Sequence, residues 1–147
     1  MVGLEFYGKI ENQHPEVLDW IRDAGFDVND ASKVPWCGIF VGMVVQKSLS
    51  EMYHTTDLHG IWDRIPEDYA LARSWQHFGD EVKLEDARQG DLVVFWRESI
   101  NSYKGHVAFY VGEGRPGYIF VLGGNQDDQV NIKQYAISRI LTIRRWL

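Results

Sequence analysis

Cys37 is the one cysteine in a chain of 147 residues. A lone cysteine is often only a small buried hydrophobe, but its neighbours here argue for chemistry. It follows Pro35-Trp36, where an amphipathic helix is expected to open. Backbone N–H groups left unpaired at a helix start favour negative charge. The thiolate is the reactive form, and such a position lowers a thiol pKa toward neutrality. Gly38 is expected to leave room for substrate, Trp36 to wall the cleft, and the same N–H groups to hold a developing oxyanion.

A cysteine nucleophile needs an imidazole beside it. Among the histidines, His14 is expected to be exposed before a helix and His77 to lie on the wet face of a short one. His106 differs, because it follows Gly105 and opens the apolar run 107–111. An imidazole at the mouth of a buried strand is held rigid, and Gly105 permits another backbone to approach closely. A third group should accept from the second ring nitrogen and fix the tautomer. Asn125, in Gly123-Gly124-Asn125-Gln126, is expected to do this from the next strand. Gln126 is the rival, and turn chemistry alone is the plainer account of these residues.

The elements that must position these groups fall into two halves. Over 15–24, Val17, Trp20, Ile21 and Ala24 recur at helical spacing, with Pro15 suited to the first turn and Gly25 to the stop. A second helix should open near Pro35, with Cys37, Phe40, Val41 and Val44 on one face. A third is expected over 68–78, with Leu71, Trp75 and Phe78 on one side and Gly79 at its end. Short apolar runs then follow at 92–96, 106–111, 118–122 and 140–143, with alternation at Val130, Ile132 and Gln134. Turn chemistry at 112–117 and 123–128 separates them. Helices first and closely spaced strands after imply an α+β domain with an antiparallel sheet. One catalytic domain over 1–147 is expected, with residues 48–67 as an insertion of weak pattern.

Composition excludes several classes. Fifteen Lys+Arg against 21 Asp+Glu give a net charge of −6, which is poorly suited to replacing counterions on nucleic-acid phosphates. The longest apolar stretch, 39–45, is far short of the roughly 20 residues of a spanning helix, so no membrane insertion is expected. The N-terminus lacks a basic region followed by an apolar run, so synthesis in the cytoplasm is expected, with action elsewhere after release or injection.

Five motifs in order resemble the small papain-like cysteine peptidases of the NlpC type, related to CHAP amidases. They are Val34-Pro35-Trp36-Cys37-Gly38-Ile39-Phe40-Val41, Ala72-Arg73-Ser74-Trp75, Gln89-Gly90-Asp91-Leu92-Val93-Val94-Phe95, Gly105-His106-Val107-Ala108-Phe109-Tyr110-Val111-Gly112-Glu113 and Val121-Leu122-Gly123-Gly124-Asn125-Gln126. The resemblance spans about residue 16 to the end and is to a subfamily found in phages and bacteria. It implies a papain-like core with the nucleophile at a helix N-terminus, packed on a small antiparallel sheet that carries the histidine. It also implies cleavage of amide bonds in bacterial peptidoglycan, without cofactor or metal. By position Cys37 matches the nucleophile, His106 the base and Asn125 the orienting residue, while Asp91 is expected in a structural turn. Substrate is expected against Trp36, Gly38, Trp75, Gly105 and Gln126. The tyrosine that often precedes the nucleophile in such enzymes has no counterpart here. The implied settings are a phage lysis enzyme, a virion hydrolase, or an antibacterial effector carried by delivery machinery and matched by an immunity protein.

Other classes remain open to the residues themselves. His54, Asp57, His59 and Asp63 are metal-ligand types close in sequence, although the spacing of the two histidines is not that of one helical face. Six tryptophans could serve a non-catalytic wall-binding or partner-binding module. Acyl transfer to another acceptor would use the same cysteine chemistry on the same fold.

Overall fold

The computed structural model describes residues 2–53 and 64–147. The chain is α+β, as the order of patterns implies. Helix α1 is Pro15–Asp23 and helix α2 is Cys37–Tyr53. Six strands follow: β1 (Asp80–Val82), β2 (Leu92–Trp96), β3 (Gly105–Glu113), β4 (Tyr118–Gln126), β5 (Gln129–Ala136) and β6 (Ile140–Arg145). They form one sheet in the order β1-β6-β2-β3-β4-β5, with every pairing antiparallel. The short strand β1 is not visible in the apolar pattern, because Asp80, Glu81 and Val82 present little to bury.

Alternation along the strands gives each sheet face its own core. Leu92 and Val94 of β2, with Val107 and Phe109 of β3, pack under α2 and α1. Val93, Phe95, Ala108 and Tyr110 point the other way and are covered by Leu84, Ala87, Tyr135 and Ile137. Helix α2 buries Ile39, Phe40, Val41, Val44 and Val45 together. A helix apolar on nearly all sides belongs inside, so its N-terminus is held fixed against β3 and β4. In α1, Val17 and Ile21 are fully buried and Trp20 packs on Trp36 and Phe40. Gly25, at φ +99°, takes the left-handed turn that ends this segment.

The third expected helix is a correction. Residues 72–77 form a 3₁₀ turn, Ala72–His77, and Leu71 before it is extended. The carbonyls an α-helix would use are spent elsewhere. Tyr69 O accepts from the Trp75 indole at 2.9 Å, and the Ser74 hydroxyl returns to the Asp68 and Leu71 carbonyls at 2.8 and 2.7 Å. Leu71 is consequently on the surface, whereas Trp75 is fully buried. Of the insertion expected over 48–67, residues up to Tyr53 continue α2. His54, Asp57, His59 and Asp63 lie outside the described residues.

Asp91 has the structural role expected of it. Its carboxylate accepts two bonds from Arg145 of β6, at 3.0 and 2.7 Å, and a third from the Arg88 backbone N–H at 2.8 Å. The first residue before β2 is thereby tied to the neighbouring strand.

Candidate active site

Cys37 is the first residue of α2 and is only 5% exposed. What it exposes borders a cleft of about 250 Å3, shared with Leu71, Arg97, Tyr103, Lys104 and Gly105. Larger hollows of about 500 and 610 Å3 border Trp146, but neither is lined by Cys37. The chemistry therefore points to the smaller cleft.

The Val107 backbone N–H is directed at the Cys37 thiol, as are the helix-start N–H groups of Cys37 and Gly38. One residue from Val107 stands His106, 1% exposed. The antiparallel register sets His106 opposite Phe95 and Gly105 opposite Trp96. Its imidazole is stacked on Tyr135, with centroids 4.8 Å apart and planes 14° from parallel, and lies 6.1 Å from the Phe95 ring. Such packing fixes the ring plane.

The ring nitrogens are distinguished by their partners. Nε2 lies 2.8 Å from Gln126 Oε1. The Gln126 amide nitrogen donates to Asn131 O and Asn131 Oδ1, both at 2.9 Å. Two acceptors on that nitrogen define which end of the amide faces the ring, so Gln126 Oε1 must accept and His106 Nε2 must carry the proton. Nδ1 then keeps its lone pair. An Arg97 guanidinium nitrogen is 3.5 Å from it, beyond a good hydrogen bond.

Gln126, rather than Asn125, thus meets His106. The cause is a β-bulge. Extending the register of Phe109 with Leu122 would set Asn125 opposite His106. Between Gly123 and Gln126 the β4–β5 register shifts by one residue, and Asn125 takes φ +57°. The extra residue turns Gln126 onto the face where Asn125 would have stood. A Cβ on Gly123 would collide with the Gln126 amide, so glycine there makes the space. The turn itself falls later, at Asp127 and Asp128, both at positive φ.

Three other expected contacts with substrate are corrected. Trp36 is fully buried, donates its indole N–H to Glu11 Oε2 at 3.0 Å, and lies beneath Gly124. It belongs to the core, not the cleft wall. Trp75 is likewise buried, against Phe78. Gly38 does not open space for a ligand, because the Tyr69 and Ala70 carbonyls occupy it, the latter 2.8 Å from where a Cβ would sit. Gly105 does permit a close approach, that of the Phe95 carbonyl at 2.7 Å from such a Cβ, and also borders the cleft. His77 is on the surface, and His14 is half-buried, its Nδ1 accepting from the Ile10 N–H at 2.9 Å.

The electrostatics reverse the expected ionisation. Burial pushes the Cys37 thiol above its ordinary value, although the Val107 N–H, the Arg97 charge and the helix-start N–H groups pull it back. Burial, then Arg97, lowers His106 to about 3, against support from Gln126. At neutral pH the pair is thiol and neutral imidazole rather than thiolate and imidazolium. Helix-terminus stabilisation acts here, but desolvation is larger.

Arg97, Tyr135 and Asn131 were not singled out from the sequence. Arg97 follows β2 directly, and β2 is the strand paired with that of His106, so a hairpin reading placed the signal within reach. Tyr135 and Asn131 come from β5, two strands away, and only the closed register reveals them. Among the described residues no group of three or more His, Cys, Asp or Glu is arranged to hold a metal ion, and no helix is long and apolar enough to cross a membrane. No family model matches the chain, and no curated protein matches it either.

Proposed function

We propose that this protein hydrolyses an amide bond in the peptide stem of bacterial peptidoglycan, with Cys37 as nucleophile, His106 as general base and Gln126 as the residue that orients His106. The observation that carries the reading is a thiol at a helix start that the Val107 N–H supports, with His106 beside Val107 on β3. Cys37 opens α2 with its sulfur on the Val107 N–H, and His106 is the next residue, its tautomer defined by Gln126. The choice of peptidoglycan rests on the five-motif resemblance, which also supports a papain-like arrangement of the core.

The chemistry follows from the resting protonation. His106 Nδ1 takes the thiol proton as the sulfur attacks the carbonyl carbon, so charge is created only during attack. The C–S bond forms and the carbonyl oxygen becomes an oxyanion, supported by backbone N–H groups around Cys37. The C–N bond breaks, and the imidazolium gives its proton to the leaving amine. Water, deprotonated by His106, then attacks the thioester carbonyl; the C–S bond breaks, the Cys37 sulfur takes the proton back from His106, and the acid departs and ionises in solvent. The reading places the protein in the periplasm or wall after release by a phage or injection as an antibacterial effector. An immunity protein would then cover the cleft.

The test is digestion of isolated sacculi by wild-type protein and Cys37→Ala, with released fragments identified by mass spectrometry. Fragments from the wild type alone, ending at one kind of amide, are expected. Equal release by a folded Cys37→Ala would overturn the assignment of the nucleophile. Binding to sacculi without release would turn the reading toward a wall-binding module.

A further inference from the structure

We propose that Arg97 anchors a carboxylate of the substrate, so that the amide cleaved at Cys37 lies beside a free acidic group in an anionic peptide. The inference deepens the hydrolase reading and rests on it for the identity of the peptide, but not for the anion site itself.

The geometry comes first. Arg97 follows the last residue of β2, borders the same cleft as Cys37, and is half-buried. Its guanidinium is 3.5 Å from His106 Nδ1 and close enough to the Tyr135 hydroxyl to favour its ionised form. The chain carries an excess of acids, 21 against 15, yet among the described residues none pairs with Arg97. Neighbouring cations are spent: Lys104 is on Glu98 and Lys133 on Asp127, each at 2.8 Å. Three other arginines are spent as well. Arg73 donates to the Lys104, Ile100 and Ser99 carbonyls, Arg144 to those of Phe78 and Gly79, and Arg145 to Asp91.

A half-buried guanidinium without a carboxylate is costly. Here it also opposes the imidazolium that the reaction must form, since Arg97 lowers the proton affinity of His106. A carboxylate docked on Arg97 removes both penalties at once. The planar fork of a guanidinium matches a carboxylate with two parallel hydrogen bonds. Substrate binding would thus ready His106 to accept the thiol proton, and a neutral peptide would not.

Alkylation of Cys37 by iodoacetate and by iodoacetamide tests the anion site without any peptide. The ratio of the two rates cancels the fraction of thiolate. Relative to a free thiol such as glutathione, the wild-type ratio is expected to favour iodoacetate by at least about tenfold. Arg97→Gln should lose that preference and Arg97→Lys should keep part of it. A wild-type ratio equal to that of glutathione, a ratio unchanged in Arg97→Gln, or failure of both reagents to reach Cys37 would overturn the proposal. In parallel, a stem peptide and its carboxamide counterpart are compared as substrates. The acid form should be cleaved with kcat/KM at least about tenfold higher, and Arg97→Gln should erase the difference. Absence of any cleavage by the wild type would count against the hydrolase reading alone, because the alkylation ratio still decides the anion site.

Discussion

Replacing Gln126 by alanine separates the account from its nearest rival. The Gln126 side chain accepts from His106 Nε2 at 2.8 Å and donates to Asn131 O and Oδ1 at 2.9 Å, all within a residue that is 1% exposed. Removing it strands a buried imidazole N–H and leaves the Asn131 acceptors short of a donor. A buried polar group without a partner costs about 1–3 kcal/mol, so the variant should lose about 3 kcal/mol of stability. The tautomer is no longer held. An orienting hydrogen bond of about 1.5–3 kcal/mol corresponds to a fall of about 10–100-fold in kcat. Asn125→Ala should behave differently. Its φ of +57° strains alanine by about 1 kcal/mol, a small loss of stability, while kcat should change by no more than about twofold. Urea unfolding gives the stabilities, and fragment release from sacculi at saturating substrate gives kcat. If Asn125→Ala loses the activity and a folded Gln126→Ala keeps it, the bulge argument is wrong.

Stability should respond to pH through His106. Its proton affinity in the fold, about 3 against an ordinary 6.5, is lowered by burial, Arg97 and Lys133. The unfolded chain therefore binds the proton first. Stability is fully present above pH 6.5 and falls by about 1.4 kcal/mol per unit below it; His106→Asn should flatten the urea-derived slope between pH 6 and 5, and an unchanged slope would refute the burial argument. Gly38→Ala sets a Cβ 2.8 Å from the Ala70 carbonyl, and overpacking of about 1–3 kcal/mol should appear as a lowered urea midpoint. Asp91→Asn weakens the clasp of Arg145 across β2 and β6, with an expected loss of about 1–3 kcal/mol and kcat retained in the folded fraction.

The α+β class, the antiparallel sheet and five of its strands were legible because their signals are local. Alternation at Val130 and Ile132, the apolar run 92–96 and the Pro15–Gly25 bracket each depend on a few neighbouring residues. The settings of Cys37 and His106 were legible, one at a helix start and one at a strand mouth. What was not legible depends on long-range closure. The bulge that exchanges Asn125 for Gln126 leaves no mark in alternation, since Gly123 and Gly124 present no side chain to count. The carbonyls of Tyr69 and Ala70 that fill the space beside Gly38 come from a distant loop. Trp36 and Trp75 have polar tips that suit a cleft, but Glu11 Oε2 and the Tyr69 carbonyl satisfy those tips inside the core. The direction of the Cys37 shift was misread because a helix start was weighed without its burial.

The most direct measurement is the intact mass of the protein, acid-quenched during turnover on sacculi, followed by mapping of the Cys37 peptide. The account predicts an added mass equal to the acyl fragment of the stem, carried on Cys37 and absent from Cys37→Ala. Release of the same fragments at the wild-type rate by Cys37→Ala, with no adduct on the wild type, would contradict it.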